Sequence, residues 1–260
     1  MAILKYDNEA TKKLLAIYTT PDVEAQRNDF INAFEPQPGQ RVLDFGSGPG
    51  FLANSISDSV GQTGSVCGID ISKPLLDIAI SQFGDRANVE FLLGDATKLP
   101  FPSDDFDVVV STQVLEYVPD VDLALTEFNR VLRMGGTIAL LDTDWDSIVW
   151  HSSDRTRMNR ILKAWEQHAA DPFLPRTLAK KLNRAGFEAQ AQKIIPIYNA
   201  EYNEDTYSNR MIDLIIPFVV GTGSITKAEA GEWGKDLCER GKNGEYFFSL
   251  NRYFFLAKKL

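Results

Sequence analysis

The heptapeptide Asp44-Phe45-Gly46-Ser47-Gly48-Pro49-Gly50 constrains this chain more than any other feature. It follows the apolar pair Val42-Leu43 and carries glycine at alternate positions, so the backbone turns sharply and few β-carbons bar close approach. Such a turn belongs after the first strand of an open α/β sheet, where ligands bind beyond the carboxyl ends of the strands. The following segments supply the sheet. Apolar, β-branched runs recur at Ser65 to Asp70, Val89 to Leu93, Phe106 to Val110 and Thr137 to Leu141, with helical stretches between them. Strands alternating with helices need right-handed crossovers, which predicts an α/β doubly wound sheet, mostly parallel and covered on both faces.

The flanking segments are predicted to be helical. Leu14, Leu15, Ile17 and Tyr18, then Phe30, Ile31 and Phe34, fall at helical spacing on either side of Thr20-Pro21. Asp120 to Arg133 reads as the helix before the fifth strand, stopped by Gly135-Gly136. After residue 143 the alternation fails, and the last strand is expected at Tyr246 to Leu256. The stretch from about 201 to 243, broken at Gly221-Thr222-Gly223, is too long for an ordinary loop and reads as a helical cap. The predicted organisation is an N-terminal helical lid over 1–35 and a main domain over 36–260 with the cap inserted in it. A chain of 260 residues, 44% hydrophobic, is long enough for one sizeable core. Its formal charge of −9 disfavours nucleic acid and anionic membranes as partners. Cys67 and Cys238 show no CxxC spacing, which fits a reducing, cytoplasmic setting. No stretch approaches the ~20 apolar residues of a membrane span, and the N-terminus lacks an export signal.

Two details of the glycine turn select among nucleotide-like ligands. The spacing is GxGxG, with Phe51 where the third glycine of GxGxxG belongs, and an acid, Asp44, precedes the first glycine. A carboxylate there repels a pyrophosphate but attracts, directly or through water, the ammonium group of S-adenosylmethionine. Asp70 ends the second strand, where it suits the ribose hydroxyls; its alternative role is a helix cap near Ser72-Lys73-Pro74. Asp95, after the third strand, suits an adenine amine, and the Ala96 amide a ring nitrogen, with a capping acid again the alternative. Three consecutive strands ending in an acid at one sheet edge favour the ligand reading over three coincidental caps.

These residues resemble the class I S-adenosylmethionine-dependent methyltransferases, in particular the ubiquinone/menaquinone-biosynthesis-type enzymes that act on small molecules. The likeness runs from about 36 to 145, through PQPGQRVLDFGSGPG, GSVCGIDIS, VEFLLGDATKLPFPSDDFDVVVSTQVLEYVPD and EFNRVLRMGGTIALLD. It implies a Rossmann-like, seven-stranded sheet with an antiparallel last strand. It also implies that Gly46, Ser47 and Gly48 line the methionine part of the donor, that Asp70 and Ile71 hold ribose and adenine, that Asp95 and Ala96 hold the base, and that Ser111 to Gln113 flank the sulfonium. Where many relatives carry a histidine after the fourth strand, this chain reads Leu115-Glu116-Tyr117, so no catalytic base carries over.

The function expected is methyl transfer to oxygen, nitrogen or carbon of a small organic acceptor by in-line displacement, which alignment alone accelerates strongly. The alternatives are a non-catalytic module that binds S-adenosylmethionine and a nicotinamide-dependent oxidoreductase, the latter disfavoured by Asp44 and Phe51. No catalytic residue is assigned; His151 and His168, the two histidines, read more readily as structural or surface groups. Asp142, Asp144 and Asp146 fail as a calcium loop, because Ser147 takes the required glycine position and Ser153 the closing glutamate, so no metal is expected. Asp142 or Asp144 either orients an acceptor or lends negative potential near the cationic sulfonium, or is a solvated loop acid. Tyr18 and Trp145 have the positions to wall an acceptor site, and Arg27 either reaches the donor carboxylate or is an exposed helix charge.

Overall fold

The computed structural model describes residues 8–95 and 98–260. Helices α1 (Asn8–Tyr18) and α2 (Pro21–Phe34) meet at Thr20, whose hydroxyl donates to the Ile17 carbonyl at 2.9 Å. Pro21 opens α2, where its fixed φ and missing N–H cost nothing. The sheet begins with β1 (Arg41–Phe45), followed by α3 (Phe51–Val60), β2 (Ser65–Asp70), α4 (Lys73–Phe83), β3 (Val89–Leu93), β4 (Phe106–Thr112), α5 (Val121–Val131) and β5 (Leu132–Thr143). Strands β3, β2, β1, β4 and β5 lie in that order, joined by parallel ladders. The expected strands at 65–70 and 89–93 form with those bounds.

The chain divides into two compact units. One comprises Arg27–Thr143, Phe173–Ile195 and Tyr253–Leu260. Successive strand residues point to opposite faces, so Leu43, Cys67, Val109, Ile138 and Leu140 pack into one core, while Val42, Val66, Val108, Ala139 and Leu141 pack into another. Both cores are buried, which is why these strands read as continuous apolar runs. On the first face α5 presents Val121, Ala124, Leu125, Phe128 and Val131, one stripe at helical spacing. Asp120 caps that helix through the Leu123 amide at 2.9 Å. The helix α7 (Pro175–Arg184) adds Leu178 and Leu182 to the same core. On the second face Phe30 and Phe34 join Leu52, Ala53, Ile56 and Val60 of α3.

The boundary between α5 and β5 differs from expectation, and the last strand runs over Phe248–Lys259 where the sequence predicts Tyr246 to Leu256. Gly135-Gly136 does not stop α5; the helix ends at Val131 and the glycines lie inside β5, which starts at Leu132. The ladder with β4 slips between Phe106 and Val108. Gly135 has φ +74° there, and a β-carbon on Gly136 would come within 3.0 Å of the Asp107 carbonyl oxygen. The glycines let the strand pass an irregularity, as glycines inside strands commonly do.

The other unit comprises the segment ending at Gln26, Asp144–Pro172 and Pro196–Arg252. It contains β6 (Val149–Trp150), α6 (Arg155–Trp165), α8 (Tyr207–Gly221) and α9 (Lys227–Lys242). All four tryptophans of the chain, Trp145, Trp150, Trp165 and Trp233, are buried in its core. The Asp236 carboxylate gathers the Ser152 and Ser153 hydroxyls, each donating at 2.6 Å, ahead of α6. Helices α8 and α9 occupy the stretch expected to be a cap and are separated at 222–226. The strands β7 (Phe187–Asn199) and β8 (Phe248–Lys259) each run through both units. β8 follows β5 in the sheet order, pairs with β7, and is antiparallel to β6. Among the described residues the sheet therefore has eight strands, where the resemblance implied seven; the two-residue β6 is too short to leave an alternating pattern in sequence. Among the described residues, no helix is long and apolar enough to cross a membrane.

Candidate functional site

At the end of β1 the chain enters the glycine turn with Gly46, Gly48 and Gly50 all at positive φ, +72°, +52° and +83°. The Gly46 and Ser47 amides both donate to the Ile69 carbonyl, at 2.8 and 3.1 Å, which ties the turn to the end of β2. Gly50 then caps α3, whose first residue is Phe51. Phe51 meets Phe83 edge-on at 5.9 Å and lies under the Arg27 guanidinium at 5.1 Å. Arg27 is therefore half-buried on an aromatic face, and its charge acts on Asp44.

Gly46 and Gly48 do different work. A β-carbon on Gly46 would lie 2.3 Å from a Val114 methyl, whereas one on Gly48 would meet nothing within 4 Å. Gly46 is thus required by packing, and Gly48 borders open space. Gly46→Ala is expected to lower the melting temperature markedly. Gly48→Ala should carry only the left-handed backbone cost, ~1–2 kcal/mol, yet still weaken ligand binding by filling that space. Thermal melts of the two variants, with and without S-adenosylmethionine, distinguish the cases; equal destabilisation would refute the assignment.

Asp44 projects from β1 with 1% of its surface exposed, and one of its carboxylate oxygens has no hydrogen-bond partner. Burial, then the charge of Asp70, push its carboxyl up to about 7, against the lowering effects of the Ala53 amide and Arg27. A buried carboxylate with an open oxygen is costly unless something cationic or hydrogen-bonding completes it. Asp70 is both a turn organiser and a candidate ligand group. One oxygen accepts from the Gly48 amide at 2.8 Å and the other from the Ser72 amide at 2.7 Å. With the Ile71 amide also bonding to it, the carboxylate still retains lone-pair capacity for a ligand hydroxyl. Burial raises its pKa, and the Ser72, Gly48 and Ile71 amides oppose that rise. The neighbouring Ile71 is 72% exposed, an apolar surface beside the acid. Asp95 is exposed and bridges to Lys98 through the backbone; Ala96 lies outside the described residues.

The third wall comes from β4. The Ser111 hydroxyl is buried without a partner, as is that of Ser47. Gln113 has φ +57°, rare for a residue with a side chain, and its amide donates to the Leu141 carbonyl at 2.6 Å. Asp44, Gly46, Ser47, Gly48, Asp70, Ile71, Ser111 and Gln113 thus belong to one unit, on or just beyond the carboxyl ends of β1, β2 and β4.

Tyr18 and Trp145 lie in the other unit. Tyr18 is half-buried, while Trp145 is enclosed, edge-on to His168 at 4.5 Å and to Trp165 at 5.8 Å. His168 stacks on Trp165 at 3.9 Å, and its Nδ1 donates to the Trp165 carbonyl. Burial depresses its pKa to about 4, so the ring is neutral at pH 7. His151 contacts the Glu245 carbonyl through Nδ1 at 2.7 Å. The reading of Asp142 and Asp144 as solvated loop acids does not hold, because both are buried. Asp144 accepts from the Asp146 amide at 3.2 Å. Asp142 faces a partner that sequence reasoning passed over, Glu116, the other buried acid of its unit's β4–β5 end. Its sequence signal is an acid inside the apolar run Val114-Leu115-Glu116-Tyr117-Val118. Among the described residues, no group of three or more His, Cys, Asp and Glu side chains is placed to hold a metal.

The family of methyltransferase domains matches residues 43–140, the segment that contains the glycine turn, β2, β4 and most of β5. An uncharacterised 37.1 kDa protein of a Streptomyces fradiae transposon is 30% identical over 184 residues, 69% of this chain and 52% of that protein. A demethylmenaquinone methyltransferase of Staphylococcus aureus is 40% identical over 105 residues, 40% of this chain and 44% of that protein. The matched part of the chain thus spans about half the length of these relatives or less. In fold, the chain is similar to phosphoethanolamine N-methyltransferase 2 of Haemonchus contortus, solved with S-adenosyl-L-methionine. The TM-score is 0.63 at 18% identity, over 98% of this chain and 57% of that one.

Proposed function

We propose that this chain, a member of the class I S-adenosylmethionine-dependent methyltransferases, transfers the sulfonium methyl group to oxygen, nitrogen or carbon of a small organic acceptor. The observation that carries the reading is the buried Asp44 carboxylate, with one oxygen unpartnered, on the strand that leads into the glycine turn, where Gly48 borders open space. An acid in that place suits an ammonium group and opposes a pyrophosphate, which separates a sulfonium donor from a nicotinamide dinucleotide. In this reading Asp44 would hold the ammonium, Gly46, Ser47 and Gly48 the methionine part, Asp70 and Ile71 the ribose and adenine, Asp95 the base, and Ser111 and Gln113 the region of the sulfur; Ala96, also proposed for the base, lies outside the described residues. Bound S-adenosylmethionine supplies a methyl group on a cationic sulfur, already activated for displacement. The chain's own contribution is then alignment, exclusion of water and negative potential, which needs no obligatory acid or base.

Acceptor selection is assigned in this reading to α1, α8 and α9. Tyr18 contributes directly, and Trp145 supports that wall through its packing against Trp165 and His168. The Staphylococcus relative's name makes a quinone precursor a natural first acceptor to try. With Cys67 and Cys238 both free thiols, a cytoplasmic setting is proposed. Incubation with methyl-labelled S-adenosylmethionine and a panel of phenols, amines and quinone precursors tests the activity. Label appearing in one of these acceptors supports transfer, and tight donor binding with no transfer across the panel favours a non-catalytic binding module.

A further inference from the structure

Glu116 and Asp142 take no part in the donor contacts proposed above, yet they tie together the elements that flank the glycine turn. Asp142, near the end of β5, accepts from the Glu116 amide at 3.3 Å, and the Val114 and Leu115 amides also bond to its carboxyl. Glu116 lies in the single 3-10 turn Leu115–Tyr117 after β4 and answers from the other side: its Oε2 accepts from the Thr143 amide at 2.6 Å. The two strand ends are therefore joined by reciprocal carboxyl–amide bonds, and both acids are fully buried. The segment they fasten carries Gln113 in its left-handed conformation and Val114, whose methyl groups fill the place of a Gly46 β-carbon. A left-handed residue with a side chain persists where its surroundings hold it.

We infer that Glu116 and Asp142 are positioning residues for the methyl donor, clamping residues 113–117 so that Val114 is seated on Gly46 and the glycine turn keeps its binding conformation. The inference rests on the donor reading proposed above. Two ionised carboxylates in one dry site repel, and burial together with the Glu116 charge pushes the Asp142 carboxyl well above the ordinary range. Burial and that charge therefore favour the protonated form of the Asp142 carboxyl. An amide of the same shape at either position mimics the neutral form and still accepts a backbone N–H. Alanine removes the acceptor and strands buried amides.

The test compares Asp142→Ala, Asp142→Asn, Glu116→Gln and Val114→Ala by two readouts: amide hydrogen exchange in the ligand-free protein and the dissociation constant for S-adenosylmethionine. Asp142→Ala is expected to speed exchange at least tenfold both at 113–117 and at the Gly46 and Ser47 amides, and to weaken binding at least tenfold. Asp142→Asn and Glu116→Gln should stay within threefold of the parent in both. Val114→Ala leaves the acids intact and should loosen Gly46 and Ser47 while 113–117 stays protected, so the idea is tested even where Asp142→Ala does not fold. Unchanged exchange at Gly46 and Ser47 in Asp142→Ala or Val114→Ala overturns the clamp, as do amide variants that fail as badly as alanine. A parent protein that binds no S-adenosylmethionine refutes the donor reading instead, and the exchange data still decide the clamp.

Discussion

Asp44→Asn is expected to make the ligand-free protein more stable at pH 8 and, at the same time, to weaken S-adenosylmethionine binding by roughly 10–150-fold. The second figure corresponds to about 1.5–3 kcal/mol for a hydrogen bond to a charged group. The opposite signs follow from one cause. Burial and Asp70 raise the Asp44 carboxyl from 3.8 to about 7 in the folded chain. A raised carboxyl pKa means the folded state holds its proton more tightly than the unfolded state. This residue's contribution to stability is therefore fully present below pH 3.8 and is lost as pH rises through about 7. Asparagine cannot ionise, so it escapes the loss. Binding of an ammonium needs the ionised form, so affinity in the parent should fall as pH drops below about 7, approaching tenfold per unit. In Asp44→Asn that pH dependence should vanish. Thermal melts and binding titrations between pH 5 and 8 check both halves. A variant that binds as tightly as the parent at pH 8 would remove Asp44 from the donor site.

Asp70→Ala should cost at least as much affinity, because two losses combine. The ribose hydrogen bonds to a charged carboxylate account for about 1.5–3 kcal/mol. The same substitution releases the Gly48 and Ser72 amides, which Asp70 holds at 2.8 and 2.7 Å. Asp70→Asn, which keeps one acceptor oxygen, should lie between parent and alanine. Calorimetric dissociation constants separate the roles: an unchanged constant in Asp70→Ala would leave Asp70 as a turn organiser alone.

The features legible in sequence were those carried by local pattern. The runs at 65–70 and 89–93 stand out because glycines bound them, Gly61 and Gly64 before the first and Gly94 after the second, and the structure keeps their bounds. The helical stretch after 201 showed its break at Gly221-Thr222-Gly223, close to where α8 ends. Local pattern misled at Gly135-Gly136, since glycine ends helices and relieves strand irregularities alike, and only the slipped ladder with β4 decides between them. By sequence Asp70 is a ribose ligand or a helix cap; the cap of α4 is Ser72, and Asp70 instead accepts from the Ser72 amide in the turn ahead of that helix, with lone-pair capacity left for a ligand. The acids at 142 and 144 looked solvated because polar residues alternate there, yet Asp142 is enclosed by a turn 26 residues earlier in the chain. Glu116 and Val114 act only through that long-range meeting, which no window of sequence contains.

Titration calorimetry with S-adenosylmethionine and, separately, with NAD at pH 8 tests the central claim most directly. One equivalent of S-adenosylmethionine bound, with no heat from NAD, is the predicted result. Binding of NAD with no response to S-adenosylmethionine would contradict it.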